Sequence, residues 1–318
     1  MTAPTAGLPK FAAAVTSAIC CRLVALLFVC GLAGVASSAP AEESGVWPPW
    51  GPRGSLFIVG GGDTPVEIQE RFVALAAGSG RARVAVFPMA STEFDEEADE
   101  VIADFKALGA TAELVGFGRN EAADPELLAY LETFTGYWFL GGDQARLVAV
   151  LQGTPALAVV DKRYRDGAVV GGTSAGAAVM SISMLTGKRR ASAAGGDEDA
   201  PLIARGVFEV KQGFGFLPGA IVDQHFLQRA RYNRLLSAVL EQPQLIGVGI
   251  DEGTAIVVRP DGRWEVLGDS YVKIFDARRA RISGSDETLV GATGVRLHLL
   301  PAQGVFDPAS GRAFLSSK

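Results

Sequence analysis

The chain has 318 residues, of which 48% are hydrophobic and 39 are glycine, and its formal net charge is −6. This length is enough for one large domain or two small ones. The modest negative charge leaves no electrostatic footprint for nucleic acid, so a nucleic-acid partner is not expected.

The first residues, 1–41, are predicted to be a signal peptide. Lys10 and Arg22 precede an apolar run, 23–36, and Ala39–Ala41 has the A-x-A pattern of a cleavage site. The apolar run is short for a membrane span, so an uncleaved anchor is the weaker alternative, and no stable membrane anchor is expected. We therefore expect an exported protein that acts in the periplasm or outside the cell.

All three cysteines, Cys20, Cys21 and Cys30, lie in this leader. A lipid-attachment site at Cys30 is disfavoured because the preceding Val29 is bulky. A mature chain without cysteine has no disulfide, thiolate metal site or cysteine nucleophile. A nucleophile in the mature protein would therefore be a hydroxyl.

Apolar strands alternate with helical patterns after a Pro- and Trp-containing linker, 42–53. The predicted strands are 55–59, 83–87, 112–117, 137–140 and 168–170. The predicted helices are 66–77, 93–108, 126–133, 145–152 and 156–165. Such alternation is typical of an α/β protein with a mostly parallel sheet and helices on both faces.

The remaining chain is predicted to belong to the same domain, 54–318. Its short strands are expected either to continue the sheet or to form a meander at its edge, and they are 246–250, 255–259, 263–267 and 272–275. A polar segment, 187–199, is predicted to be a solvated loop, with an acidic lid for a cationic substrate as the alternative.

The Gly60–Pro65 loop after the first strand suggests a dinucleotide site but fails that fingerprint. Pro65 occupies the place of the third glycine, and the second strand runs into Phe87, Pro88 and Met89 without an acidic residue for a ribose. We therefore do not predict a nucleotide site.

Ser174 has the sequence context of a nucleophile elbow. It follows an apolar strand, lies between Gly172 and Gly176 in the G-x-S-x-G spacing, and precedes a run with a helical pattern, 177–184. A sharp strand-to-helix turn needs neighbours without side chains and leaves the hydroxyl exposed above the sheet. The alternative is a glycine-rich strand-to-helix connection without a catalytic role.

The base that such a serine needs is predicted to be His225. The chain has two histidines, and His298 has the alternating neighbours of a strand near the C-terminus, which favours a structural role. His225 is predicted to lie where an apolar strand ends and a helix begins, the place where parallel-sheet enzymes collect catalytic groups.

The acid that would orient the imidazole is not decided by the residues alone. Asp223 would share a strand face with His225, and Asp251 and Glu252 follow another predicted strand. The trio formed by Asp251, Glu252 and Gly253 could also be a simple turn.

Three motifs together resemble the cyanophycinases, serine peptidases of the peptidase E group. They are GGTSAGAA at 171–178, DQHF at 223–226 with an arginine-rich sequence after it, and GIDEGTA at 249–255, and the resemblance covers about 54–277. It implies a flavodoxin-like fold similar to class I glutamine amidotransferases. It also implies Ser174 as nucleophile, His225 as base and Glu252 as orienting acid. The order of serine, histidine and acid argues against an α/β-hydrolase.

The mechanism would need two donors for the oxyanion. The elbow itself would supply the N–H of Ala175, and the loop after the fourth strand would supply that of Gly142. On a continuous helix Arg231 and Arg234 would share a face and could form a fork for a carboxylate, while Arg229 would not. The alternative is a solvated basic helix face. The resemblance implies that the substrate site is lined by Gln144, Asp223, Arg229, Arg231 and Arg234.

The resemblance further implies a substrate, cyanophycin, an aspartate polymer that carries arginine on its side-chain carboxyls. Asp223 could then face a guanidinium. The expected product is a β-aspartyl-arginine dipeptide, the expected assembly is a homodimer, and no cofactor is implied. No spacing of carboxylates suggests a metal site. The alternatives are an aspartyl dipeptidase of the same group and an exported binding protein that has lost catalysis.

Overall fold

The computed structural model describes residues 51–91, 95–190, 203–284 and 289–316. The predicted signal peptide and most of the predicted linker lie outside these ranges, as does the part of the predicted loop from residue 191 onward.

The first half of the described chain alternates strands and helices as predicted. The strands are β1 (Leu56–Val59), β2 (Arg83–Phe87), β3 (Thr111–Leu114), β4 (Gly136–Phe139) and β5 (Val169–Thr173). The helices are α1 (Val66–Ala77), α2 (Asp95–Ala107), α3 (Pro125–Leu131), α4 (Gln144–Leu151), α5 (Pro155–Arg165) and α6 (Ala175–Ala178).

Side-chain caps explain where three of these helices begin. The Asp124 carboxylate accepts two amides at the start of α3, and Asp143 accepts the Ala145 amide at the start of α4. Thr154 caps α5, and proline is the first residue of both α3 and α5. These residues satisfy amides that the helix itself leaves without partners.

The second half of the described chain is richer in strands. These are β6 (Ser183–Arg189), β7 (Phe208–Gln212), β8 (Ala220–Asp223), β9 (Ile246–Ile250), β10 (Thr254–Val258), β11 (Trp264–Gly268), β12 (Val272–Asp276), β13 (Arg281–Ser283), β14 (Gly291–Thr293), β15 (Arg296–Leu300), β16 (Val305–Asp307) and β17 (Arg312–Phe314). One helix of this half, α7, spans Tyr232–Glu241.

The largest sheet within the described ranges has nine strands in the order β17-β16-β11-β10-β1-β5-β4-β2-β3. Strands β1 to β5 are parallel, and β10, β11, β16 and β17 continue the sheet in antiparallel pairing. A second sheet has the order β15-β12-β9-β8. The prediction of a mostly parallel α/β fold with extra C-terminal strands is confirmed. The four later strands that the sequence predicted are divided between the central sheet and this second sheet, which the sequence pattern did not separate, and β6-β7 and β13-β14 form two further two-stranded sheets.

Apolar residues fill both faces of the parallel strands. Phe57 and Val59 of β1 belong to the core under α1 and α2, where Phe72 and Phe105 pack against Trp138. The alternate residues of β1 belong to the core on the opposite face, together with residues of α4, α5 and the second sheet. Alternation along the strands thus buries both faces, as a doubly covered sheet requires.

The segment after Ser174 departs from the predicted helical run, 177–184. Helix α6 ends at Ala178 after a single turn, and β6 begins at Ser183. Hydrogen bonds from distant segments take the chain out of the helix, since the Leu217 amide donates to the Met180 carbonyl. Tertiary contacts here override a local pattern of small and apolar residues.

None of the helices in the described ranges combines the length and the apolar character that a membrane-crossing helix needs.

Candidate active site

Ser174 lies at the corner between β5 and α6 in a strained backbone conformation. Its φ is 51° and its ψ is −109°, and its amide donates to the Val59 carbonyl of the neighbouring strand. A Cβ at Gly172 would lie 2.7 Å from the Gly176 backbone, and one at Gly176 would lie 2.1 Å from the Phe139 carbonyl oxygen. The two flanking glycines therefore allow the turn to close, as the spacing predicts.

His225 meets this serine from a different part of the chain. Its Nε2 atom lies 2.8 Å from Ser174 Oγ. His225 is buried two residues beyond β8, where its backbone has a φ of 47° and its amide donates to the Gly60 carbonyl at 2.7 Å. The backbone of His225 is thus fixed by its place just after β8 and by the loop after β1.

The other ring nitrogen of His225 is hydrogen-bonded to Glu252. The distance from Nδ1 to Glu252 Oε1 is 2.5 Å. Asp251 instead accepts the amides of Leu227 and Gln228 and the hydroxyl of Ser270. A carboxylate on Nδ1 leaves Nε2 free to accept a proton from the serine.

Burial lowers the pKa of His225 from its ordinary value of 6.5. The hydrogen bond that His225 donates to Glu252 raises this pKa in opposition, and the positive charge of Arg229 adds to the lowering. The imidazole is therefore neutral at neutral pH, which is the form that a general base needs.

The glycine loop after β1 packs directly on this pair, a relationship that the sequence reasoning missed. A Cβ at Gly61, whose φ is 100°, would lie 2.3 Å from the His225 ring, and one at Gly62 would lie 3.0 Å from Glu252 Cβ. The Gly253 amide also donates to the Gly61 carbonyl. The three consecutive glycines were a signal of close backbone approach, and the approach is to the imidazole rather than to a phosphate.

Two backbone amides predicted to bind an oxyanion lie beside Ser174. Ala175 is the first residue of α6, so its N–H has no partner within the helix. Gly142 lies in the loop after β4, and both Gly142 and Ser174 line the same two depressions. No hydrogen bond among the described residues uses the Gly142 N–H.

The first depression, which we call the basic pocket, has a volume of about 270 Å³. It brings together four of the five predicted substrate-site residues. Its lining includes Gln144, Arg229, Arg231 and Arg234, and adds the side chains of Asp143, Thr186, Lys188 and Gln224, which were not predicted.

The arginines of this pocket do not lie on the continuous helix on which their pairing was predicted. Helix α7 begins at Tyr232, and Ala230 just before it has a positive φ. Arg229 is exposed, whereas Arg231 is buried and donates to both the carbonyl and the side chain of Gln224. Arg229 and Arg231 therefore lie in different surroundings, one at the surface and one held by Gln224.

Asp223, the fifth predicted substrate-site residue, is 1% exposed beneath this pocket. Both of its carboxylate oxygens accept hydrogen bonds from Arg234, and Arg231 Nη1 lies 3.7 Å from Oδ1. Asp223 thus faces guanidinium groups of the protein itself. In the part of the chain that the structure describes, Arg234 alone binds this carboxylate with two hydrogen bonds, so Arg231 and Arg234 do not form the predicted fork for a substrate carboxylate. Asp223 makes no hydrogen bond to His225 within the described residues.

The second depression, which we call the acidic cleft, has a volume of about 430 Å³ on the α1 and α2 side of Ser174. Its carboxylates were not predicted as site residues, although their spacing on α2 places three of them on one helix face. The polar side chains that line it are Asp63, Thr64, Gln69, Glu97, Glu100, Asp104, Thr173, Ser174 and His225.

His298 lies on β15, and its ring packs against Phe306. Burial lowers its pKa. Within the described ranges no three histidine, cysteine, aspartate or glutamate side chains are grouped closely enough to hold a metal ion.

Comparison with known proteins identifies the family. The profile of peptidase family S51 matches residues 56–265, which include Ser174, His225 and Glu252. The chain belongs to peptidase family S51. Membership in this family makes it a serine-type peptidase, which confirms the predicted enzyme class.

Relatives of this S51 peptidase include cyanophycinases, as the resemblance predicted. It is 35% identical over 264 residues to the cyanophycinase of Trichormus variabilis, covering 79% of this chain and 85% of that protein. It is also 35% identical over 258 residues to that of Geminocystis herdmanii, covering 78% and 91%. The solved structure of a peptidase from an acI-B1 Actinobacterium has the same fold, with a TM-score of 0.60 at 22% identity over 83% of this chain and 97% of that one.

Proposed function

We propose that this peptidase is an exported cyanophycinase, which cleaves cyanophycin into β-aspartyl-arginine dipeptides with Ser174, His225 and Glu252. The observation that carries the proposal is the continuous hydrogen-bonded chain from Ser174 Oγ through the His225 ring to Glu252. Its similarity to cyanophycinases over more than three quarters of the chain supports the choice of substrate.

In the proposed reaction, Ser174 Oγ attacks the scissile carbonyl carbon while His225 Nε2 accepts the hydroxyl proton. The tetrahedral oxyanion is held by the N–H groups of Ala175 and Gly142. The C–N bond then breaks, and His225 returns the proton to the leaving amine. Water, activated by the same imidazole, hydrolyses the acyl-enzyme and regenerates Ser174.

The basic pocket supports recognition of an anionic chain beside the reacting bond. Each unit of cyanophycin carries a free carboxylate, and the exposed Arg229 guanidinium and Lys188 line the pocket next to Ser174. Because Arg231 and Arg234 are already held by internal acceptors, they supply positive charge to the pocket from fixed positions. A planar guanidinium suits a carboxylate ligand.

The proposal includes export directed by residues 1–41, so that the enzyme acts on polymer outside the cytoplasm, and action as a homodimer. Fractionation of the native host with detection of the mature N-terminus tests the first of these. Light scattering of the purified mature chain tests the second.

The central test is incubation of the purified mature protein with cyanophycin, with product identification by mass. Release of β-aspartyl-arginine by the wild type and by the distant exposed variant Ser310→Ala, but not by Ser174→Ala, is the expected result. Turnover of Asp-X dipeptides without attack on the polymer would replace the proposal with an aspartyl dipeptidase. Polymer binding without turnover would replace it with a binding protein.

A further inference from the structure

The carboxylates that line the acidic cleft have no role in the reaction described above. We propose that this cleft binds the guanidinium of a substrate arginine, on the α1 and α2 side of Ser174 and therefore apart from the basic pocket. This inference rests on the proposed function, because it assigns the cleft to a second part of the same polymeric substrate. Ser174 and Gly142 line both depressions, so one substrate chain can occupy the two at once.

Helix α2 concentrates negative charge on the wall of the cleft. Glu97, Glu100 and Asp104 are spaced by three and four residues and therefore share one face of the helix. Asp63, from the loop after β1, adds a fourth carboxylate. None of the described residues that line the cleft is lysine or arginine, so a cation from outside is the group that these carboxylates favour.

Thr173 supplies an independent indication of a ligand. It lines the cleft, it is only 7% exposed, and its hydroxyl has no hydrogen-bond partner among the described residues. Because strand side chains alternate, Thr173 shares with Gly171 the face of β5 that contacts Phe72 and Trp138, which is the face covered by α1 and α2. A buried hydroxyl without a partner is costly, and a substrate donor would satisfy it.

The positions of two other cleft residues favour a planar donor with several N–H groups. Gln69 is buried and donates to Asp104 Oδ2 at 2.8 Å, which fixes that carboxylate. Glu97 Oε1 lies 3.4 Å from the Gly141 amide, next to the proposed oxyanion site. A bare carboxylate there would repel the oxyanion, whereas a bound guanidinium would neutralise it and has five donors for the surrounding acceptors.

The test uses short β-linked aspartyl-arginine oligomers and matching oligomers in which citrulline, a neutral analogue of arginine, replaces one arginine on either side of the scissile bond. The variants are Glu100→Gln, the same change combined with Asp104→Asn, and Thr173→Val. Asp99→Asn is the matched control, because Asp99 is an exposed acid of the same helix that does not line the cleft.

We expect Glu100→Gln to raise KM for the arginine oligomer about five-fold and the double variant about twenty-fold, with Asp99→Asn within two-fold of the wild type. The increase in KM caused by Glu100→Gln should vanish for the oligomer whose citrulline occupies the cleft. Thr173→Val should raise KM while leaving the Tm unchanged or higher, since the hydroxyl has no partner to lose. A merely structural hydroxyl would not produce that combination.

The inference is overturned if Glu100→Gln changes KM no more than Asp99→Asn does. It is also overturned if the increase in KM is the same for every citrulline oligomer, because the acids would then form only a solvated helix face. Failure of the proposed function looks different, since the wild type would then cleave no oligomer. In that case the same variants are compared by equilibrium binding of arginine amide. Weaker binding by Glu100→Gln but not by Asp99→Asn would still support the cleft, and equal binding by all variants would exclude it.

Discussion

Ser174 and His225 lie 51 residues apart in the chain, both have a positive φ, and their side chains meet at 2.8 Å. Left-handed backbone is costly for residues with a Cβ, and such strain persists only where the surroundings enforce it. Here the glycine-flanked turn enforces the φ of Ser174, and the hydrogen bond to the Gly60 carbonyl holds His225.

Because the backbone of Ser174 is strained, replacing this residue by glycine should abolish activity but relieve the strain. Ser174→Ala and Ser174→Gly should both lower kcat by about 10⁴- to 10⁶-fold, because the nucleophile is lost. Ser174→Gly should be more stable than Ser174→Ala by about 1 kcal/mol, because glycine adopts a φ of 51° without strain. Polymer hydrolysis and urea unfolding of the two variants check this, and equal stability would show that the turn is unstrained.

Glu252→Gln should lower kcat by about 10²- to 10⁴-fold with little change in KM. The amide would still approach His225 Nδ1 but would no longer stabilise the imidazolium or select the reactive tautomer. Asp251→Asn is the neighbouring control, since its contacts are with the Leu227 and Gln228 amides and Ser270 rather than with the imidazole. A larger loss of kcat in Asp251→Asn than in Glu252→Gln would contradict this assignment.

The lowered pKa of His225 sets the acid side of the pH profile. We expect kcat/KM to reach its plateau in the neutral range, and to fall with a slope of one as the pH drops through the folded-state pKa, which burial places below 6.5. In Glu252→Gln this inflection should move to lower pH, because the interaction that raises the pKa is removed. An inflection above 6.5 in the wild type would contradict the expected direction.

The lowered pKa of His225 also makes the free energy of unfolding fall as the pH drops below about 6.5. The unfolded chain protonates His225 near pH 6.5, whereas the folded protein does so only at lower pH. The unfolded state therefore binds more protons in this window, and the contribution of His225 to stability is fully present above about 6.5 and is lost as the pH falls toward the folded-state pKa. The difference in unfolding free energy between the wild type and His225→Gln, measured across this window, isolates that contribution.

Gly61→Ala should impair both folding and activity. Its Cβ would overlap the His225 ring at a φ of 100°, so we expect a loss of about 2–4 kcal/mol of stability and a displaced imidazole. Gly78 is the matched control, because it also has a positive φ but a Cβ there meets nothing within 4 Å. Gly78→Ala should cost about 1 kcal/mol and leave kcat unchanged, as measured by unfolding and turnover.

Substitutions of the basic-pocket arginines should affect either substrate binding or stability, depending on whether the side chain is exposed or buried. Arg229→Gln should raise KM with stability unchanged, because the side chain is exposed. Arg234→Gln should cost about 3–5 kcal/mol of stability, because it leaves the Asp223 carboxylate buried without its bidentate partner. Equal losses of stability in the two variants would show that Arg229 also has a structural role.

Much of this arrangement was predictable from the sequence because it depends on short-range patterns. The alternation of apolar strands and helices indicated the parallel sheet, and the bounds of α1 and β2 agree with the pattern. The spacing of glycines around Ser174 predicted the strained turn, and the choice of His225 followed from there being only two histidines. These features depend on local sterics and on side-chain alternation, which a single sequence records directly.

Other features were decided only when distant segments came together. The residues left three acids as partners for His225, and only the approach of the segment after β9 pairs the imidazole with Glu252. The pairing of Asp223 with Arg234, the packing of Gly61 on the imidazole and the cleft formed between α1 and α2 depend equally on contacts between separate elements. Such contacts depend on sheet register, loop path and helix packing, and no local pattern of residues encodes these.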